Sequence, residues 1–150
     1  MPKLSRIMIR LAFLHCWVGF GLATLLISRK GLPEQFDSTL WQSYIWQWLP
    51  AHVDMLLLGW MVQLSMAVAY WILPRLPGTG SERGRFAFAV TAATLLNLGI
   101  VIFAGAVLLA AWHPDWLWVQ SVGLTLQLLA IIAYGVHAWP RIRPAIVSKN

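Results

Sequence analysis

Four long apolar stretches constrain the fold of this chain more than any other feature. They span about residues 7–27, 51–73, 86–112 and 116–139 and carry almost no charged side chains. About 20 apolar residues form a helix long enough to cross a hydrocarbon core of roughly 30 Å. Hydrophobic residues make up 59% of the chain and charged residues 11%, against roughly 45–50% and about 25% in soluble domains. The sequence therefore predicts an all-α membrane protein, a single-domain bundle of four transmembrane helices in a lipid bilayer.

The distribution of basic residues predicts the orientation of the bundle. If the chain begins inside, nine of its 11 Lys and Arg residues fall on the cytoplasmic side of short loops, where such residues are retained. We expect both ends of the chain to be cytoplasmic, in a bacterial-type inner (plasma) membrane. The net charge of +6 reflects this sidedness and does not indicate nucleic-acid binding. We expect the first span to be retained, because it lacks the small-residue cleavage site of a signal peptide.

The connections between the spans differ in composition. Residues 28–50 are rich in aromatic side chains, and the apolar positions between 36 and 48 recur at helical spacing, which predicts a short helix at the outer interface. Pro50 suits the first turn of the second span, where a missing N–H costs little. Residues 74–85 predict a cytoplasmic loop, and residues 112–115 a tight outer turn.

The second and fourth spans share a weak sequence pattern. Each has a His-x-Asp sequence at its outer end, then a glutamine, an Ala-Tyr pair and a Pro-Arg pair. In the second span these residues are His52, Asp54, Gln63, Ala69, Tyr70, Pro74 and Arg75. In the fourth they are His113, Asp115, Gln127, Ala133, Tyr134, Pro140 and Arg141. The His-to-Gln interval differs by three residues, so a chance match is the alternative. A true repeat predicts two repeated hairpins related by an axis along the membrane normal.

Three amide side chains are candidates for a shared polar site. Gln63, Asn97 and Gln127 fall near the bilayer midplane of three different spans, at about 1.5 Å per residue. Polar groups within a membrane are expensive and need partners, so we expect these amides to meet. They could hold the helices together by hydrogen bonds, or line a pocket for a quinone or water.

Two histidines are matched in depth and are candidate ligands. His52 begins the second span and His113 follows the third, so both lie near the outer face. Two neutral imidazoles facing each other across a bundle can ligate a haem iron. With Asp54 and Asp115 they could instead hold a metal such as zinc or copper. Hydrated polar caps without a cofactor are the third alternative.

The stretch HVDMLLLGWMVQLSMAVAYWILPR, residues 52–75, resembles the second transmembrane helix of the catalytic subunit I of haem-copper oxidases and nitric oxide reductases. That helix begins with a histidine on the outer side and ends near an aromatic–Pro motif on the inner side. The resemblance implies that His52 ligates a low-spin haem b. The catalytic copper ligands of that family have no counterpart here, so oxygen or nitric oxide reduction is not expected.

These observations predict a b-type haem protein of the membrane, acting in electron transfer or as a subunit of a respiratory complex. His52 is the expected ligand, with the second from His113 or from a second copy of the chain. Its partners would be a larger membrane complex or further copies of itself, and it would have no catalytic activity alone. The alternative is an accessory or scaffold subunit without a cofactor, derived from the oxidase fold.

Overall fold

The described residues of the computed structural model are 1–31, 45–74, 85–110 and 114–142, and they are almost entirely helical. Four long helices follow one another: α1 (Lys3–Gly31), α2 (Trp46–Ile72), α3 (Phe86–Leu109) and α4 (Leu117–Ala138). Each is long and apolar enough to cross a membrane. For the described residues, the prediction of an all-helical fold with four helices long enough to span a membrane is confirmed, and these helices begin or end within about five residues of the predicted spans.

The two ends of the bundle are chemically distinct. One, which we call the basic end, holds the start of α1, the end of α2, the start of α3 and the 3₁₀ turn Trp139–Arg141 that follows α4. The other, the aromatic end, holds the start of α2 and the turn Pro114–Trp116 that precedes α4. These positions agree with the predicted up-and-down order of the spans.

The second helix is irregular along its length. A 3₁₀ turn at Trp46–Trp48 leads into an α-helical segment, Leu49–Asp54, with Pro50 in its first turn as predicted. The next eight residues, Met55–Val62, form a π-helix, and regular α-helix resumes over Gln63–Ile72. The interfacial helix predicted over residues 36–48 lies mostly outside the described residues. Its last residues lead directly into α2.

The four helices pack as two antiparallel hairpins joined through α2 and α3. The first hairpin comprises α1 and α2, and the second comprises α3 and α4. Buried side chains of α3 recur every three or four residues and form much of the core: Ala89, Ala92, Ala93, Leu96, Ile100, Ala104 and Val107. Of the 18-residue apolar stretch of α3, 44% is buried inside the bundle. The corresponding share for α4 is 17%. Hence α3 lies inside the bundle and α4 at its periphery, with most of its apolar surface left for lipid.

The second hairpin is closed by glycines. A Cβ atom added at Gly123 would lie 2.7 Å from the backbone nitrogen of Phe103, and one added at Gly99 would lie 2.8 Å from the carbonyl oxygen of Gly123. The two helix backbones therefore touch at this crossing, a packing common in membranes, where small residues let helices approach. The pairing agrees with two hairpins, while the sequence repeat behind them stays a prediction.

Candidate functional site

His52 lies in the second turn of α2, at the aromatic end, and its side chain is partly buried against α1. Its Nδ1 atom is 2.8 Å from the carbonyl oxygen of Gly19. A carbonyl can only accept, so Nδ1 carries the proton and donates it. In a neutral ring Nε2 then keeps its lone pair, which is the form that ligates a metal.

The close approach of His52 to α1 depends on Gly19. A Cβ atom at Gly19 would lie 2.6 Å from Cδ2 of Leu56, one turn further along α2. The absence of a side chain lets α2 approach until the imidazole reaches the helix carbonyl. Backbone carbonyls that receive the second ring N–H of a histidine are the usual way in which a ligating imidazole is oriented.

His15 does not join His52. It is buried in α1 against the π-helical segment of α2, where a Cβ atom at Gly59 would lie 2.7 Å from its Cγ. Gly59 is seven residues beyond His52 along α2, and on α1 His15 lies one helical turn, about 6 Å, before Gly19, whose carbonyl His52 contacts. The imidazole of His15 therefore lies near mid-span. The π-helix coincides with this contact, and such segments are frequent at functional sites; apart from Gly59, nothing in the sequence marked it.

Asp54 faces the opposite side of α2 from His52. Two residues along a helix correspond to about 200° of rotation, and Asp54 is buried toward α4, where its Oδ2 accepts a hydrogen bond of 3.0 Å from Nε2 of Gln127. The prediction that His52 and Asp54 could share one metal site is wrong for this reason. The structure instead gives a buried carboxyl–amide pair that joins the two hairpins.

Sequence reasoning considered Asp54 only as part of the His-x-Asp pattern and as a possible metal ligand beside His52, and it missed this pair. Pro50 carried the signal that could have found it. A helix whose first turn holds Pro50 places Asp54 in its second turn, within the span, where an ionisable residue needs a partner. Its partner, Gln127, was recognised only as a member of a midplane set.

That midplane set does not assemble, and the prediction that the three amides meet is wrong. Nε2 of Gln63 donates to the Met8 carbonyl of α1 at 3.0 Å, and Nδ2 of Asn97 donates to the Ala93 carbonyl of its own helix at 2.7 Å. Gln127 bonds Asp54. Every helix exposes carbonyl oxygens with a spare lone pair on all faces. Gln63 and Asn97 therefore find backbone acceptors and Gln127 finds a carboxyl, without the three amides having to converge.

At the basic end, the Arg141 side chain closes the bundle. It is 2% exposed, and its guanidinium donates to the carbonyl oxygens of Pro74 at 3.1 Å, Leu73 at 2.6 Å and Tyr70 at 3.3 Å. These carbonyls end α2 and would otherwise lack donors. Sequence reasoning treated Arg141 as a topology signal and as a member of the weak repeat, and did not predict its burial.

His137 is part of the same closure and is fully buried. Its Nε2 lies 3.1 Å from Nη1 of Arg141, which can only donate, and its Nδ1 lies 3.1 Å from the Arg85 carbonyl, which can only accept. The ring also stacks on Tyr70, with centroids 5.3 Å apart. Both ring nitrogens are engaged, so this histidine has no atom left for a metal.

The second predicted ligand, His113, lies outside the described residues. Asp115, two residues later, is exposed in the turn before α4. Across residues 1–31, 45–74, 85–110 and 114–142, no three His, Cys, Asp or Glu side chains are grouped as a metal site would require. Among the three histidines in these ranges, His52 is therefore the one best suited to be an axial ligand.

Comparison of the chain with protein-family models, with curated proteins and with solved structures finds no match. The likeness of α2 to the second helix of the oxidase subunit thus rests on the residues of that helix. The geometry of His52 is an independent observation about the same position.

Proposed function

We propose that this chain is a membrane protein that holds a b-type haem through Nε2 of His52 and serves electron transfer or a respiratory complex. The observation that carries the proposal is the 2.8 Å contact between Nδ1 of His52 and the Gly19 carbonyl. It fixes the ring and leaves Nε2 as the lone-pair atom. The bound haem would supply one-electron transfer.

The second residue that would hold the haem is His113 or the His52 of a second copy of the chain. The other two histidines are poor candidates, since His137 uses both ring nitrogens and His15 is buried between α1 and α2, about one turn deeper than His52. Helices α1 and α2 touch at Gly19, so a haem on His52 would lie beside this pair and meet lipid, a partner subunit or another copy. A quinone is the natural redox partner in the same membrane.

An absorbance spectrum of protein purified from haem-replete cells tests this proposal. Two imidazoles hold haem iron low-spin, so we expect a Soret band and a sharp α band on reduction. His52→Ala should remove or strongly perturb both, and added imidazole should restore them in part by filling the vacated position. His15→Ala is the matched control and should keep the wild-type band positions. A folded, colourless wild-type protein would contradict the proposal.

His113→Ala separates the two sources of the second ligand. If both ligands belong to one chain, this variant should lose the low-spin spectrum as His52→Ala does. If two copies share the haem through their His52 side chains, His113→Ala should keep the spectrum, and the coloured species should have the mass of a dimer.

The second candidate function is an accessory or scaffold subunit without a cofactor. Its support is that many buried or half-buried polar side chains form hydrogen bonds that join helices: Ser5, Gln63, Gln127, Tyr134 and Arg141. A colourless protein that copurifies with a stable set of membrane partners would favour it.

The proposed orientation places the basic end in the cytoplasm of a bacterial-type cell, with His52 near the outer face. Its support is the concentration of Lys and Arg at that end, which the retention of basic residues inside explains. A reporter fused after Asn150 should be active in the cytoplasm. Activity of the reporter outside would reverse the depth of every histidine.

A further inference from the structure

A stripe of basic side chains runs along the start of α1. Lys3, Arg6 and Arg10, which we call the basic stripe, are spaced by three and four residues and so share one face of the helix. All three are exposed, and together with Ile7 they line a shallow groove on the surface of the bundle. The groove faces outward, where the bundle meets lipid.

The hydrogen bonds between α1 and α2 give the depth of this stripe. Ser5 bonds the Ala67 carbonyl and Gln63 bonds the Met8 carbonyl. Arg10 is therefore level with residues just beyond Gln63, about ten residues or 15 Å from the end of α2 at Ile72. A span of 27 residues exceeds the hydrocarbon core by a few ångströms on each side. The backbone of Arg10 thus lies well inside the hydrocarbon region.

No described residue neutralises these charges. The side chains of Lys3, Arg6 and Arg10 form no ion pair or hydrogen bond within residues 1–31, 45–74, 85–110 and 114–142. The acidic side chains in those ranges, Asp54 and Asp115, lie toward the aromatic end. A second copy in the same orientation would therefore bring no described carboxylate to this depth. An exposed arginine in hydrocarbon is costly unless it reaches water or an anion.

The same face of α1 continues as an apolar strip. Phe13, Leu14 and Trp17 follow the basic stripe at helical spacing and are exposed, Trp17 to 73%. A charged groove that leads directly into a lipid-facing apolar strip has the polarity of a phospholipid, with an anionic headgroup at one end and an acyl chain at the other. Basic pockets on membrane spans bind anionic headgroups by this charge complementarity.

We propose that the basic stripe binds the phosphate of an anionic phospholipid, with Arg6 and Arg10 donating to its oxygens and an acyl chain lying along Phe13 and Trp17. Arg side chains present a planar fork of donors that matches phosphate. The bound phosphate would draw the headgroup layer down toward Arg10. This site is independent of the proposed haem and does not require it.

Native mass spectrometry of the detergent-purified chain, titrated with phosphatidylglycerol or phosphatidylcholine, tests the proposal. We expect phosphatidylglycerol to bind more tightly, and Arg10→Gln to weaken it by about five-fold or more, the size expected for one basic residue near an anionic headgroup. Arg85→Gln removes the same charge at the same end, from a side chain that lies over Phe88, and should change binding by much less. Equal losses in the two variants, or equal binding of the two lipids, would overturn the proposal.

Two further measurements use the unmodified stripe. Inorganic phosphate should not compete with phosphatidylglycerol, since it lacks the acyl chain; effective competition would make this a site for a soluble anion and overturn the lipid assignment. Phosphatidylglycerol brominated in its acyl chain should quench the tryptophan fluorescence more than brominated phosphatidylcholine does. The difference should be lost in Trp17→Phe, and a difference that persists would contradict the proposed path of the chain.

Discussion

The two hairpins of the bundle are held together by different means. In the first hairpin, polar side chains cross from one helix to a backbone carbonyl of the other: Ser5 to Ala67, Gln63 to Met8, and His52 to Gly19. In the second hairpin, the side-chain hydrogen bond from His137 to the Arg85 carbonyl lies at the basic end, just before α3 begins, and the crossing of α3 and α4 is of a different kind. The two backbones meet instead at Gly99 and Gly123.

The two kinds of helix contact require different residues in the sequence. Contact between two helix backbones needs small residues where the helices cross. Larger residues are poorly tolerated there, because a single backbone atom cannot move away without shifting the whole helix. Hydrogen bonds to carbonyls need a polar side chain of the right length, and each bond is worth only about 0.6 kcal/mol on average in a membrane protein. The first hairpin should therefore lose stability in small steps, and the second in a single large one.

Gly123→Ala is the substitution that should break the second hairpin. The new methyl group would lie 2.7 Å from the Phe103 nitrogen and 2.9 Å from the Gly99 oxygen, both backbone atoms. Overpacking of this kind costs about 1–3 kcal/mol, measured as the unfolding free energy in mixed detergent micelles. Gly135→Ala in the same helix is the matched control, since nothing lies within 4 Å of its added Cβ. Equal effects at both positions would mean that the backbones do not touch.

Loss of the hydrogen bond between Asp54 and Gln127, which joins the two hairpins, should give the next largest loss of stability. Gln127→Leu should destabilise the protein by about 1–3 kcal/mol, because it leaves the buried Asp54 carboxyl without its amide donor. Gln63→Leu should cost less, since Gln63 donates to the Met8 carbonyl, which lies within α1 and keeps its helical hydrogen bond.

The double variant distinguishes separate contacts from one shared network. Gln63 and Gln127 bond different partners on different helices, so their effects should add to within about 0.3–0.5 kcal/mol. A larger coupling energy would show that the two amides communicate after all, as the sequence first suggested.

The fold was accessible from the sequence because each span is a local property. Twenty consecutive apolar residues must become a helix in lipid whatever their neighbours do. The four helices, their approximate ends and Pro50 in the first turn of α2 all follow from short windows. The glycine crossing is different, because only the structure tells which of the glycines face another backbone and which, like Gly105, face open space.

The site was less accessible because burial of a polar group depends on rotation about a helix axis. Asp54 and His52 are neighbours in sequence but face α4 and α1, respectively. In the sequence, Arg141 looks like one of several basic loop residues. In the structure it is buried and donates hydrogen bonds to the carbonyls at the end of α2. Hydropathy gives the depth of such residues but not the helix that they face.

Gly19→Ala tests whether the first hairpin is more compliant than the second. The added methyl would lie 2.6 Å from Cδ2 and 2.8 Å from Cγ of Leu56, which belong to a flexible side chain. Leu56 can move aside at a cost of about 0.5–1.5 kcal/mol, the cost of holding a side chain about 30° off its rotamer, so we expect a smaller loss than for Gly123→Ala in the same assay. An equal or larger loss would show that the helices at Gly19 are as fixed as those at Gly123.

Ser5→Ala should give the smallest effect. Ser5 is fully buried, and its hydroxyl donates to the Ala67 carbonyl at 2.7 Å. Its removal deletes one interhelical bond without opening a large cavity, so we expect a loss of about 0.6 kcal/mol. Ser65→Ala is the control, because that hydroxyl is exposed and bonds Met61 in its own helix at 2.8 Å. Ser65→Ala should change the unfolding free energy by less than Ser5→Ala. If the two serine variants behave alike, the hydrogen bond from Ser5 to Ala67 contributes nothing to the stability of the first hairpin.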